Sequence, residues 1–390
     1  NENDLYSGLG GSESAVVNIT KEFDKTYDIY ISGYVTEGIF NKVTYINENK
    51  LQELINNNEF HTIIISRFIN FLTIYTNIKC SKLILSLHDT DILCTNYNTS
   101  ITSVLQENIQ FIDNVIVLTE FHKSVILNKY PILKDKFIII NNGINPLHFP
   151  EQLDKIRNKF IYTSCSSRGL NKLLELWPEI IKKISDATLD ISSYENFPKD
   201  DYDRSLVEII NKYSSIKHHG KLGKKELYDM MSRAEYWLYP THFHETSCIT
   251  ALEMMMNNVI CIYYPIGGLN DTIGDYGIPV NSGEEIETIL QLTTEKKELF
   301  QKRGKEYAIS CSWKNRFQQW KKVLNINKNK WAFYSPVYYE NKMIQQYIDN
   351  LNNIYPEHYI YLTSDREEIL ATCPEKLTFV YEVVDTNIMT

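Results

Sequence analysis

Short runs of β-branched and aromatic residues recur along the chain, with stretches of helical apolar spacing between them. Residues 27–34 (YDIYISGY), 62–66, 82–88 (KLILSLH), 114–119 and 136–140 form a first series. Their apolar positions run together rather than alternate, the pattern of strands buried on both faces of a parallel sheet. Asn142-Gly143-Ile144-Asn145-Pro146 breaks the rhythm, and a first domain boundary is expected there. A second series follows at 159–165, 187–193, 216–219, 236–240 and 259–264, closing with 277–281. Helices are predicted over 168–184, 200–214, 224–233, 246–257 and 312–324. The alternation predicts an α/β protein with two doubly wound, Rossmann-like domains, 1–143 and 144–324, and a cleft between them. In such sheets ligands sit outside the carboxyl ends of the strands. The grammar returns in a C-terminal extension, 325–390, where 331–335, a helix near 340–354, 358–363 and 377–384 read as a βαβ-like fragment. This fragment either completes the first sheet or opens a further module.

Composition narrows the function classes. The 390 residues are 43% apolar and 23% charged, ordinary globular usage that excludes collagen-like and disordered readings for the bulk of the chain. The formal charge of -9 argues against nucleic-acid binding through phosphate neutralisation. It is unevenly spread, since residues 331–390 hold 3 Lys/Arg against 9 Asp/Glu, leaving 37 against 40 in the body. Seven scattered cysteines without C-x-x-C indicate neither a disulfide framework nor a zinc ribbon, and read as thiols of a reducing compartment. With no run near ~18 apolar residues and no signal-peptide pattern at the start, a cytoplasmic protein without a transmembrane segment is expected.

Four stretches carry candidate chemistry. Gly8-Leu9-Gly10-Gly11-Ser12-Glu13 precedes an apolar helix face; it is either a phosphate-facing turn at a helix N-terminus or a glycine turn capped by Ser12. His88-Asp89-Thr90-Asp91 lies just past a strand, where His88 is a catalytic candidate or a hydrogen-bonded structural histidine. The D-x-D is either a metal–diphosphate chelate or a solvated turn. Arg168-Gly169 heads a helix after 159–165, where a guanidinium suits a phosphate, although a plain surface arginine has the same signature. The sharpest feature is Pro240 to Glu253, in which Glu245 and Glu253 are eight apart. With Glu245 capping the helix, both carboxylates share one edge about 12 Å apart and flank the amides of Thr246, Ser247 and Cys248. The alternative is a pair of ordinary helix-face glutamates. His242-x-His244 lacks a third metal ligand at a recognisable offset.

Taken together, these residues resemble the retaining nucleotide-sugar glycosyltransferases of the GT-B fold, glycosyltransferase family 4, over roughly residues 5–324. The resemblance rests on the GGSE opening, the histidine after a first-domain strand, Asn142-Gly143-Ile144 leading to Phe149, "RGL..LLELWPEI" and above all "YP..F.ETSCITALE". It implies catalytic roles for His88, Glu245 and Arg168, with Glu245 at the donor sugar and Arg168 at the diphosphate. It further implies donor binding by Gly10, Gly11, Thr246, Ser247, Cys248 and Glu253, the last at the ribose. The implied partners are a UDP- or GDP-sugar donor and a glycan, lipid-linked or protein acceptor, in glycan or polysaccharide synthesis with no cofactor and no metal. Four departures stand out. The strand usual before the glycine turn is missing or lies outside this chain, Tyr162 and Thr163 occupy the place of a second basic residue, Asn258 replaces a glycine, and the "GG..E" loop changes around Asn270-Asp271. Two other readings remain open, a non-catalytic GT-B binding or scaffold subunit and a manganese-dependent GT-A enzyme using Asp89 and Asp91.

Overall fold

The computed structural model describes residues 10–23, 27–33, 35–96, 98–150, 153–193, 197–324, 333–336 and 360–363. It divides into two units, Asn1–Trp320 and Lys321–Thr390. Gly8, the helix expected near 340–354 and the strand expected at 377–384 lie outside the described residues.

The first unit contains two parallel sheets, each with its own core. β4 (Phe60–Ser66), β5 (Cys80–Ser86), β6 (Asn114–Val117) and β7 (Phe137–Ile139) pair in chain order. They cover a core that includes Leu83, Leu85, Leu105, Val115, Val117, Ile126 and Leu133. The strand expected at 27–34 is present as β1 (Ile29–Gly33), but it pairs elsewhere. β1, β2 (Gly38–Phe40) and β3 (Val43–Asn47) form a separate sheet in the order β1-β3-β2, with β1 parallel and β2 antiparallel to β3. No residue of β1 is fully buried, so it lacks the two apolar faces that a place inside the main sheet requires. Its recorded contact with β4 is an edge-to-face pair of the Tyr30 and Phe60 rings, 6.4 Å between centroids. The β2–β3 hairpin escaped the sequence reading because its turn residues, Asn41 and Lys42, both adopt positive φ without the usual glycine.

In the second sheet β8 (Lys159–Tyr162), β9 (Thr188–Ile191), β10 (Ile216–His218), β11 (Tyr236–Tyr239), β12 (Ile260–Tyr263) and β13 (Ile278–Pro279) are all parallel, in the order β10-β9-β8-β11-β12-β13. Every residue of β11 and β12 is buried, as expected of central strands covered by helices on both faces. The helix Leu170–Lys183 lays Leu170, Leu173, Leu174, Trp177 and Ile180 against this core, at the spacing of one helical face, and ends on Lys182 and Lys183. The chain runs outward from β8 to β10 and then returns to start β11 beside β8. That reversal is the topological switch point, where the loops on either side diverge and leave a crevice.

The chain crosses between the two sheets twice, at adjacent places. Ile144 donates to the Cys311 carbonyl at 3.1 Å and its own carbonyl accepts from Trp313 at 2.9 Å. A Cβ on Gly143 would fall 2.9 Å from that same Cys311 oxygen, which explains the glycine in the Asn142-Gly143-Ile144 turn. The helix Trp313–Val323 then brings Phe317 onto Phe23, 4.7 Å between ring centroids. In the second unit β14 (Phe333–Pro336) pairs in parallel with β15 (Ile360–Thr363) as a two-stranded sheet. Two strands of the βαβ-like fragment expected in this segment are thus described, and they pair with each other.

Candidate functional site at the switch point

The loops that leave β8 and β11 meet at the switch point and carry an ion pair there. After β8 a single 3-10 turn, Ser166–Arg168, ends on Gly169 at φ 107°. A side chain at Gly169 would be strained by that angle and would also stand 2.9 Å from the Pro240 carbonyl. The close approach seats the Arg168 turn on the chain leaving β11. Arg168 Nη1 lies 3.0 Å from Glu245 Oε1 and 3.2 Å from Oε2, and the guanidinium stacks over the Phe243 ring at 4.2 Å. Tyr239, the last residue of β11, donates its hydroxyl to Glu245 Oε1 at 2.9 Å. Burial pushes the Glu245 carboxyl upward, while Arg168 and Tyr239 pull it back toward the charged form. Burial, followed by the charge of Glu245, pushes the Tyr239 phenol far up, so Tyr239 acts as the donor.

Glu245 does not cap the following helix, which corrects the shared-edge geometry expected for Glu245 and Glu253. The helix is Ile249–Met256 with Cys248 as its N-cap. Glu245 instead sits in the preceding loop because Gly267 and Gly268 close over it, with the Gly268 amide donating to the Glu245 carbonyl. Thr246 and Ser247 lead into the helix start, whose first-turn amides have no partners within the helix. The Cys248 thiol is buried among apolar atoms and thus held protonated, and its amide makes only a long contact, 3.4 Å, to Thr272. The Ser247 hydroxyl and the Thr163 hydroxyl, the latter just past β8, are buried without a partner among the described residues. Facing the helix start is the glycine turn. Gly10 caps the helix Gly11–Lys21, and Ser12 donates to Glu13 rather than capping. A Cβ on Gly11 would lie 3.6 Å from the Ile249 side chain, so backbone alone fills the gap.

The wall contributed by the first sheet is built on a cation absent from the sequence reading. Arg67, at the end of β4 with φ 64°, grips Asp89 through Nε at 2.8 Å and Nη2 at 3.1 Å, and reaches Glu13 at 3.1 Å. Asp91 turns away to Lys129 at 2.7 Å and to the Tyr130 hydroxyl at 2.6 Å. Burial works to raise the Asp91 carboxyl, but Lys129 and Tyr130 hold it below its ordinary range. The two acids of the D-x-D pair with different cations, Asp89 with Arg67 and Asp91 with Lys129. His88 sits beside them, and burial, helped by the charge of Arg67, pushes its ring down to about 4. Beneath it His122, fully buried, accepts from the Leu118 amide at Nδ1 and therefore carries its proton on Nε2, which lies 2.8 Å from the Asp89 carbonyl. Burial brings His122 to about 4 as well.

Hydrogen bonds join the two walls. Thr246 donates to the His88 carbonyl at 2.7 Å, Thr119 donates to the Thr246 carbonyl at 2.8 Å, and the Phe121 amide donates to Asp271 at 2.8 Å. His244 stacks on Phe121 and His242 packs edge-on to Tyr264. Among the described residues no three His, Cys, Asp or Glu side chains gather as a metal site.

Glu253 is buried on the helix Ile249–Met256 and does not stand alone. Lys224 Nζ at 2.6 Å and the Tyr228 hydroxyl at 2.9 Å both reach its Oε1. The structure therefore gathers His88, Arg168, Gly10, Gly11, Glu245, Thr246 and Ser247 around one crevice, with Glu253 one helical turn deeper. It adds Arg67, Tyr239, Lys224 and Tyr228. Tyr239 was within reach of sequence reasoning as the last strand residue before the E-x7-E segment. Arg67 and the Lys224–Tyr228 pair carried no local mark, being an arginine after a strand and two residues of an ordinary helix face.

No protein-family model and no curated protein matches the chain. Solved structures do. The chain is similar to a glycosyltransferase from Rickettsia africae ESF-5 at 16% identity and a TM-score of 0.63, covering 82% of this chain and 96% of that one. It is similar to Anabaena Alr3699/HepE, solved in complex with UDP-glucose, at 15% identity and a TM-score of 0.60, covering 82% and 97%. A third likeness is to TarM, at 16% identity and a TM-score of 0.56 over 71% of this chain. The chain spans 57% of the length of TarM. These likenesses show the architecture: two Rossmann-like halves in the arrangement of the GT-B glycosyltransferase fold.

Proposed function

We propose that the protein is a retaining glycosyltransferase that moves a sugar from a UDP- or GDP-sugar to a hydroxyl of a glycan, lipid-linked or protein acceptor. The observation that carries this reading is the Arg168–Glu245 pair at the β8/β11 switch point, opposite the glycine turn. In the proposed reaction the bond between the anomeric carbon and the β-phosphate oxygen breaks, a bond from that carbon to the acceptor oxygen forms, and the acceptor proton passes to the departing phosphate. Arg168 and the first amides of the helix Ile249–Met256 stabilise the charge that grows on the leaving diphosphate, the kind of fixed electrostatic aid worth ~10²–10³ in rate. Ser247, whose buried hydroxyl lacks a partner among the described residues, completes that cradle with Thr246. Glu245 accepts hydrogen bonds from the donor sugar, and His88, neutral at pH 7, faces the reacting carbon as a hydrogen-bonding group rather than as a cation.

The reading is metal-independent, since Asp89 and Asp91 are each held by their own cation. Synthesis of glycans in the cytoplasm suits it. The six cysteines among the described residues are free thiols, and no helix among those residues is long and apolar enough to cross a membrane. One observation favours a non-catalytic subunit instead: Thr163 stands where a second basic residue is usual.

A thermal-shift series with UDP-, GDP- and ADP-sugars, followed by assay of donor hydrolysis without acceptor, separates the two. A rise in melting temperature with one nucleotide, together with slow sugar release, is expected. Binding without any turnover supports the scaffold reading, and absence of binding overturns both.

A further inference from the structure

The charges around the crevice do not balance, and the excess lies on the first wall. Arg168 and Glu245 offset one another on the second wall. Arg67 alone stands against two carboxylates, Asp89 and Glu13. Asp271 adds a third acid where the walls meet; it is exposed, accepts from the Phe121 amide and has no ion-pair partner among the described residues. The nearby lysines are not spare, since Lys123 pairs with Glu120 and Lys129 with Asp91. The excess is also accessible. The Glu13 side chain is 50% exposed and that of Asp89 34%, and Glu13 Oε2 is tucked so near Gly10 that a Cβ there would collide with it.

Beside these acids an aromatic face lies open. Phe68 follows Arg67 and is part-exposed, with the guanidinium 5.5 Å from its ring centroid. Ionised carboxylates only accept hydrogen bonds, and an aromatic ring offers an apolar face. A sugar ring supplies the complement to both, hydroxyl donors around an edge and a face of C–H groups. An anionic group meets like charge here, and such a juxtaposition excludes a wrong partner more effectively than added contacts favour a right one. We infer that the acceptor is a neutral saccharide, its ring on Phe68 and its hydroxyls donating to Glu13 and Asp89, and that the first wall turns away phosphate- or carboxylate-bearing acceptors. This inference deepens the glycosyltransferase reading and rests on it.

Transfer rates of the full chain test it, with whichever UDP- or GDP-sugar raises the melting temperature as donor. The acceptors are methyl hexosides in matched neutral, uronic acid and 6-phosphate forms, a polyprenyl phosphate in detergent, and a serine/threonine peptide. Wild type is expected to favour the neutral hexoside over its charged forms by about tenfold or more in kcat/KM. Glu13→Gln should narrow that ratio to about threefold, and Asp271→Asn should do the same if the first variant fails to fold. A merely structural carboxylate would slow all acceptors alike and leave the ratio unchanged, which overturns the charge argument. Phe68→Ala should raise the hexoside KM and leave the donor KM as it was; an unchanged hexoside KM removes the ring from the account. Equal use of the charged hexosides, transfer only to the lipid or the peptide, or donor hydrolysis without transfer to any acceptor overturns the neutral saccharide while the donor reading stands. If no nucleotide sugar binds or is hydrolysed, the glycosyltransferase reading falls and this inference with it.

Discussion

The two walls of the crevice are made differently. The second-sheet wall stands on six parallel strands, with β11 and β12 wholly buried, and its functional groups leave adjacent strands at a reversal in strand order. The first-sheet wall stands on four strands, its β1–β3 ribbon pairs apart, and its polar groups are knotted into one network of Arg67, Asp89 and Glu13. One wall presents a single cation against a single buried acid. The other presents a cation already shared between two acids. On the proposed reading the contrast assigns work: Arg168 and Glu245 balance one charge with one, whereas Arg67 faces two acids and leaves the first wall net negative, so an anionic diphosphate is expected at the second wall.

The largest effect expected is at the Arg168–Glu245 pair. Arg168→Ala or Glu245→Gln should lower donor turnover by ~10²–10³ while the far-ultraviolet circular dichroism is unchanged; a loss smaller than that of Arg67→Ala would invert the contrast. Gly169→Ala comes next. The αL angle alone costs ~1–3 kcal/mol, and the clash with Pro240 adds to it, so the melting temperature should fall by several degrees.

The two histidines of the first wall, His122 fully buried and His88 partly so, give a pH signature. His88 and His122 have ring values near 4 in the folded protein against 6.5 in the unfolded chain. Below about pH 6.5 the unfolded state takes up protons that the native state refuses, so stability is fully present above that pH and is lost as it falls toward about 4. Chemical denaturation between pH 7 and 4 should show this decline, and His122→Gln should flatten it. An equally steep curve in that variant would remove His122 from the account.

If the first wall faces the acceptor, as the proposed reading has it, Arg67→Ala should lower transfer and change donor binding little; a raised donor KM instead would place Arg67 at the diphosphate. Smallest of all, Asp91→Ala should change stability by ~0–1 kcal/mol, because the pair with Lys129 is half exposed, and should leave turnover alone. Manganese-dependent activity abolished by that variant would restore the chelate.

Legibility followed the same division. In the second half every strand and the E-x7-E segment were readable, because buried parallel strands write themselves as unbroken apolar runs. The first half hid its hairpin behind a non-glycine turn at Asn41-Lys42 and its central cation at Arg67, whose role comes only from being 22 residues from Asp89 and 54 from Glu13. The helix Thr294–Ser310 was unread for a related reason, since only Gly304 and Ala308 are buried along its 17 residues. Lys224, Tyr228 and Glu253 were each visible as residues, but their meeting depends on two helices that the sequence does not align.

The glycines that seat one loop on another have an entropic consequence. Gly169 rests on Pro240–Thr241, and Gly267 and Gly268 rest on His244–Thr246, so the segments carrying Arg168 and Glu245 interlock main chain to main chain. Their conformational freedom is surrendered when the protein folds. A ligand arriving at this crevice therefore meets a shape already assembled, and its binding free energy is not diminished by ordering those segments.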